Sequence, residues 1–155
     1  MKMARITLAT LLVIGQACSN PAKVDIFLPI EGNAWAYGDL KTVEVTVDDT
    51  TQMHNVSLNV RHSGDYEWQN LYVKVHIYSP RGDSASELVS IPLVDELGKW
   101  RGAGLADTRT LRHEYKSQIQ FKQLGKYRFT LEQYMRVNPL SGIKDVGLRV
   151  APASE

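Results

Sequence analysis

A single cysteine, Cys18, stands in a chain of 155 residues, so a disulfide framework within the chain is excluded. Charge of one sign is not in excess: 18 Lys and Arg face 17 Asp and Glu, a formal net charge of +1. Such a balance offers no electrostatic footprint for nucleic acid or for an anionic bilayer surface. There is no internal repeat, no low-complexity tract and no heptad pattern, which removes solenoids, fibrous proteins and coiled coils. No apolar run reaches the roughly 20 residues that carry a helix across a bilayer.

Patterns that carry chemistry are equally sparse. No serine lies in a Gly-x-Ser-x-Gly elbow. His54, His62, His76 and His113 fall on different expected strands and loops, with no His-x-His, no His-Glu-x-x-His and no cysteine pair. Each reads as a solvated surface residue, and no metal is expected. Asp48 and Asp49 open an expected turn, where aspartate is favoured for its backbone hydrogen bonds, and Glu132 falls on the polar face of a strand. Turn chemistry and solubility account for these acids better than a catalytic carboxylate pair does. The reading is of a protein without enzymatic activity.

What is present begins at the amino terminus. Lys2 and Arg5 form a basic segment, Ile6 to Ile14 is apolar apart from Thr7 and Thr10, and Gly15-Gln16-Ala17-Cys18 resembles a bacterial lipobox. Small residues there suit a signal peptidase, and the thiol accepts a diacylglycerol. Residues 1–17 are therefore expected to be a lipoprotein signal peptide and residues 18–22 a lipidated tether. Residues 23–155 are expected to form a single domain. Cys18 would bear the diacylglycerol and N-acyl groups, and no other cofactor is expected. Loss of Lys2 and Arg5 leaves sixteen basic residues against seventeen acidic ones, a net charge of −1. Ser19 to Val24 contains no acidic residue, which points to the periplasmic side of the outer membrane.

Period-two alternation dominates the remainder. Leu71, Val73, Val75 and Ile77 face one way while Tyr72, Lys74, His76 and Tyr78 face the other. The same pattern recurs in Val43 to Val47, Val56 to Val60, Val89 to Leu93, Tyr127 to Leu131 and Val146 to Val150, with turn residues between the runs. About seven or eight strands at this spacing predict an all-β fold, an antiparallel β-sandwich. Gly98, Gly102 and Gly104 mark Leu97 to Arg112 as a long loop between sheets. Tyr127 to Val137 and Lys144 to Val150 are expected to pair as a hairpin around Pro139 to Gly142, with Phe129, Leu131 and Met135 in the core. Trp35, Trp68 and Trp100 supply the alternative function, a surface glycan-binding lipoprotein, if they prove exposed and coplanar.

Longer stretches carry a resemblance. Arg61-His62-Ser63-Gly64-Asp65-Tyr66 with Asn70-Leu71-Tyr72-Val73, then Gly98-Lys99-Trp100-Arg101-Gly102-Ala103-Gly104, resemble segments of the gliding-motility lipoprotein GldH family of Bacteroidetes-type bacteria. So do Gly125-Lys126-Tyr127-Arg128-Phe129, Glu132-Gln133-Tyr134-Met135-Arg136 and Gly142 to Arg149. The resemblance runs from about Phe27 to Val150. It implies a cell-envelope lipoprotein needed for gliding and linked to the secretion machinery that delivers adhesins. Its partners would be membrane lipid, through Cys18, and other envelope proteins, with neither nucleic acid nor metal. Strand parity places Glu132 and Arg136 on one polar face and Asp145 and Arg149 on the outer face of the next strand. These four are the candidate partner surface, set against plain cross-strand ion pairing.

Replacing the one thiol tests the anchor. Cys18→Ser should give an unacylated protein that no longer sediments with membranes, because no other segment is long and apolar enough to hold it there. Membrane retention of that variant in a fractionation assay would remove the assignment.

Overall fold

Residues 22–153 are described by the computed structural model of the protein; the expected signal peptide, Cys18 and most of the expected tether lie outside the described residues. The alternating runs become strands. In chain order they are β1 (Val24–Pro29), β2 (Ala34–Trp35), β3 (Lys41–Val47), β4 (Met53–Ser63), β5 (Asn70–Tyr78) and β6 (Ser84–Pro92). They continue with β7 (Ala103–Leu105), β8 (Thr108–Gln120), β9 (Gly125–Gln133), β10 (Leu140–Ser141) and β11 (Ile143–Pro152). All pairings are antiparallel. The expected all-β sandwich is what forms.

One sheet has the order β1-β11-β4-β8-β7 and the other β3-β9-β5-β6, while β2 and β10 make a small two-stranded closure. The inward parity of each run meets in one cluster that includes Val43, Val45, Leu58, Val60, Leu71, Val75, Phe129, Leu131, Val146 and Leu148. Trp35 and Leu140, directly paired between β2 and β10, are fully buried and seal one end of the core. Turns follow the expected chemistry where Asp49 Oδ1 accepts from the Thr51 backbone N–H (2.7 Å) and hydroxyl (2.6 Å).

Three expectations are overturned. β9 and β11 do not form a hairpin: β9 lies between β3 and β5 in the four-stranded sheet, and β11 between β1 and β4 in the five-stranded one. Each already has a neighbour on both sides, so residues 134–142 cross the roughly 10 Å between packed sheets instead of turning within one. The long loop expected over Leu97 to Arg112 is in large part a hairpin of β7 and β8. Its glycines are close-approach residues: a Cβ on Gly102 would stand 2.1 Å from the Thr110 carbonyl oxygen, and one on Gly104 2.5 Å from that of Thr108. β8 escaped sequence reading because it covers a flank of the sandwich and buries its inward residues, Leu111, His113 and Tyr115, only partly.

Surface histidines are the third error. His54 and His62 are fully buried, and His113 is partly buried. His54 packs edge-on against Phe121 at 5.3 Å, and His62 lies 4.7 Å from the Trp100 ring with Nδ1 on the Ser63 carbonyl oxygen at 2.8 Å. Burial is the main force that lowers the His54 and His62 pKa values, with the charges of Lys23 and Arg109 acting in the same direction on each respectively.

Two measurements follow. Phe129, 2% exposed at the centre of the core, should cost about 3–5 kcal/mol when truncated to alanine, read from urea unfolding. The lowered histidine pKa values mean that the unfolded chain binds protons first as acid is added. Stability should be complete above the unfolded histidine pKa of about 6.5 and should fall below it until the pH passes the folded values. The urea midpoint should therefore be lower at pH 5.5 than at pH 7.5, with a slope of at most about 1.4 kcal/mol per pH unit for each histidine. His54→Leu, which removes an imidazole lacking a partner on either ring nitrogen among the described residues, should flatten that dependence.

Candidate functional site

The inward–outward alternation of β9 continues past its last residue. Leu131, Gln133 and Met135 point into the core, while Glu132, Tyr134 and Arg136 face out. Gln133 makes this possible. Its buried amide donates to the Val137 carbonyl oxygen (2.8 Å) and, more weakly, to that of Trp35 (3.4 Å), and its oxygen accepts from the Met135 backbone N–H. Tyr134 N–H donates to the Tyr72 carbonyl oxygen at 3.0 Å, which ties the departing chain to β5.

These residues border a groove of about 930 Å³ on the outer face of the four-stranded sheet. Tyr37, Trp68, Tyr72 and Tyr134 line it with Leu88, and all five are exposed large side chains. Tyr37 is held by its hydroxyl on the Met135 carbonyl oxygen (2.8 Å) and its N–H on Asn138 Oδ1 (3.0 Å). The Lys74 ammonium stands 5.3 Å from the Tyr134 ring centroid. Arg136 lies on the rim, exposed, with no carboxylate within ion-pair distance among the described residues.

Glu132, also in the groove wall, is engaged on its other side. Its Oε2 lies 2.8 Å from His76 Nε2, and His76 Nδ1 lies 2.8 Å from Ser86 Oγ. Tertiary structure thus assembles a hydroxyl, an imidazole and a carboxylate that the sequence had left apart. Ser86 and His76 do not line the groove, and Ser86 is exposed on an open strand.

The four residues of the candidate partner surface are divided. Glu132 and Arg136 share the groove, whereas Asp145 and Arg149 lie on β11 in the other sheet. Asp145 meets Arg61 at 3.6 Å, and Arg149 meets Asp25 at 2.8 Å. Asp25 also holds Arg112 at 2.6 Å and accepts from Asn59 at 3.0 Å. Burial acts to raise the Asp25 pKa, but Asn59, Arg149 and Arg112 together bring it below the usual carboxylate range. Three arginines thus share two aspartates on this face, Asp25 serving two of the guanidiniums.

Sequence reading missed the groove's tyrosines. Their one signal was composition: seven tyrosines against three phenylalanines leave hydroxyl-bearing rings for positions that meet water. The tryptophans separate. Trp35 is fully buried with its indole N–H on the Asp39 carbonyl oxygen (2.7 Å), Trp100 packs on His62, and Trp68 alone of the three lies in the groove. Among the described residues, no three His, Cys, Asp or Glu side chains converge as a metal-binding group.

Comparison with known proteins gives a consistent picture. The chain is 27% identical over 146 residues to a protein of Christiangramia forsetii named gliding motility lipoprotein GldH homolog, covering 90% of this chain and 89% of that one. It is 30% identical over 126 residues to the gliding motility lipoprotein GldH of Flavobacterium johnsoniae, covering 77% and 78% respectively. No solved structure matches. The GldH lipoprotein family model matches residues 24–150, from the first strand to the eleventh, and the chain belongs to that family.

Proposed function

We propose that this protein is a non-enzymatic, lipid-anchored accessory component of the gliding and secretion apparatus, and that it acts by docking another envelope protein in the aromatic groove. Family membership and the names of the two curated relatives support the gliding assignment. The observation that carries the docking site is the convergence of Tyr37, Trp68, Tyr72, Tyr134 and the exposed Arg136 on one groove. Tyrosine, tryptophan and arginine are the residues that most often supply the anchoring energy of protein interfaces. Glu132 supplies the opposite charge, so the site offers a carboxylate and a guanidinium around an apolar floor. Asp145 and Arg149, held in separate ion pairs with Arg61 and Asp25, contribute to the stability of the five-stranded sheet's outer face in this reading.

Acylation at Cys18 fits the same function. Confinement to a membrane raises the effective concentration of the domain near its partners, so a modest patch suffices. We place the anchored protein on the periplasmic side of the outer membrane, in keeping with the absence of acidic residues from Ser19 to Val24.

Ser86, His76 and Glu132 favour a second reading, hydrolysis, through their hydroxyl–imidazole–carboxylate sequence. An enzyme of that type also needs an enclosed site and donors for the developing oxyanion. The row lies on an open sheet face, where cross-strand hydrogen bonding accounts for it.

One set of variants separates the readings. Tyr134→Ala combined with Arg136→Ala should change stability by under about 1 kcal/mol, since both side chains are exposed. It should weaken capture of the envelope partner about thirtyfold or more, the loss of an interface anchor worth about 2 kcal/mol, and abolish gliding or adhesin export at normal abundance. Ser86→Ala should leave the cellular phenotype intact. Normal function in the groove variant would overturn the docking site, and loss of function in Ser86→Ala at normal abundance would favour hydrolysis.

A further inference from the structure

The tether and the groove lie at opposite ends of the sandwich. Lys23, the residue before β1, is ion-paired with Asp48 in the turn after β3. Around that end the ladders close at Val24 with Val150, Val47 with Gly125 and Met53 with Gln120. At the other end they close at Pro29 with Asp145, Lys41 with Leu131 and Ser63 with Thr108. There the chain crosses between sheets and Tyr37, Trp68 and Tyr134 line the groove. β4 runs from one end to the other, Met53 to Ser63, and its 11 residues cover roughly 33 Å.

Reach decides which end can be set down on the membrane. From Cys18 to Lys23 the chain, even fully extended, covers at most about 18 Å. The groove end, roughly 33 Å beyond Lys23, therefore cannot stand on the bilayer that holds the acyl groups. Yet it is the end richer in exposed apolar side chains, with Leu97 81% and Leu105 88% exposed beside the groove's aromatics. The Lys23 end shows Met53 and Leu124. Leu124 lies between Lys122 and Lys126 in the turn from β8 to β9, and Arg81 N–H donates to Gln123 Oε1 (3.3 Å), which joins the turn after β5 to it. Arg81 and Lys122 are exposed, with no carboxylate within ion-pair distance among the described residues. The acids at this end are engaged: Asp48 by Lys23, Asp49 by Thr51, and Asp83 by Ser79 and Gln123.

We propose that the domain stands on the phospholipid surface by this turn end, with Leu124 and Met53 in the interface and Arg81 and Lys122 at the headgroup phosphates, and holds the aromatic groove outward, away from its own membrane. The inference rests on acylation at Cys18. Two apolar side chains and two cations add little membrane affinity by themselves. Beside the acyl chains their effect is orientation, because they select one end of the sandwich for the lipid. The groove is then reached through water. Its occupant is an exposed segment of an envelope protein that projects toward this domain, and neither a lipid nor the membrane-embedded part of a neighbour.

The test uses the mature acylated chain in vesicles of phosphatidylethanolamine with a minor share of phosphatidylglycerol. Acylation consumes the Cys18 sulfur, so one introduced cysteine is the only free thiol and carries an environment-sensitive fluorophore. On Leu124→Cys and on Met53→Cys the fluorophore should shift to shorter wavelength when the chain binds vesicles, and lose most of its emission to headgroup-nitroxide phospholipid. On Leu97→Cys and on Tyr134→Cys it should keep that emission and be quenched by aqueous iodide instead. Lys122→Glu combined with Leu124→Asp should abolish the lipid quenching at position 53 while the acyl groups keep the chain on the vesicle. Lipid quenching at position 97 or 134, equal quenching at both ends, or no effect of the paired variant would overturn the proposal. A chain that binds no vesicles would remove the anchor and the proposal with it. Partner capture is read separately: if the variant lacking Tyr134 and Arg136 retains capture while the quenching pattern holds, groove docking fails and the orientation stands.

Discussion

The buried amide of Gln133 fixes the point at which the chain leaves one sheet for the other. With 1% of its surface exposed, it satisfies its polar atoms on the backbone of Trp35, Met135 and Val137. A buried polar side chain of this kind is costly unless its hydrogen bonds are made, and once made they specify a single backbone path. That path places Tyr134 and Arg136 on the surface and Met135 in the core. It also delivers Leu140 to its pairing with Trp35, which closes the end of the sandwich. The groove is thus a consequence of the crossing between sheets.

Polar chemistry on the two outer faces differs in kind. On the five-stranded sheet, Asp25 gathers Arg112, Arg149 and Asn59, and Arg61 lies between Asp145 and the face of Phe27, 4.1 Å from the ring centroid. Each of these charges has a partner of opposite sign, with Asp25 shared between two guanidiniums, and exposed pairs of this type contribute about 0–1 kcal/mol each. On the four-stranded sheet, aromatic rings are exposed side by side and Arg136 has no carboxylate partner among the described residues. Exposed aromatic recognition chemistry is concentrated on this face.

The interior carries a cost that the surface does not. His54 and His62 are buried among mainly aliphatic and aromatic side chains, and burial holds both toward the neutral state. Neutral imidazole is compatible with that packing, as its contacts with Phe121, Tyr66 and Trp100 show. Burial disfavours the protonated form of both, and of His113, so stability is tuned toward neutral pH by residues remote from the groove.

The sequence by itself determined the class of fold, most of the core and the family. Period-two runs such as Leu71 to Ile77 and Val43 to Val47 bury one face wherever a sheet packs, so their parity survives any topology. The same parity put Glu132 and Arg136 on one side. It did not decide which strands are neighbours, because alternation describes a strand's faces and says nothing of its edges. Hence β9 and β11, close in sequence, were expected to pair and instead lie in different sheets. Nor did it reveal that glycines 102 and 104 serve a tight hairpin, that two histidines are core residues, or that Tyr37, Trp68, Tyr72 and Tyr134 converge. Those outcomes depend on contacts between residues far apart in the chain, and only the packed sandwich decides them.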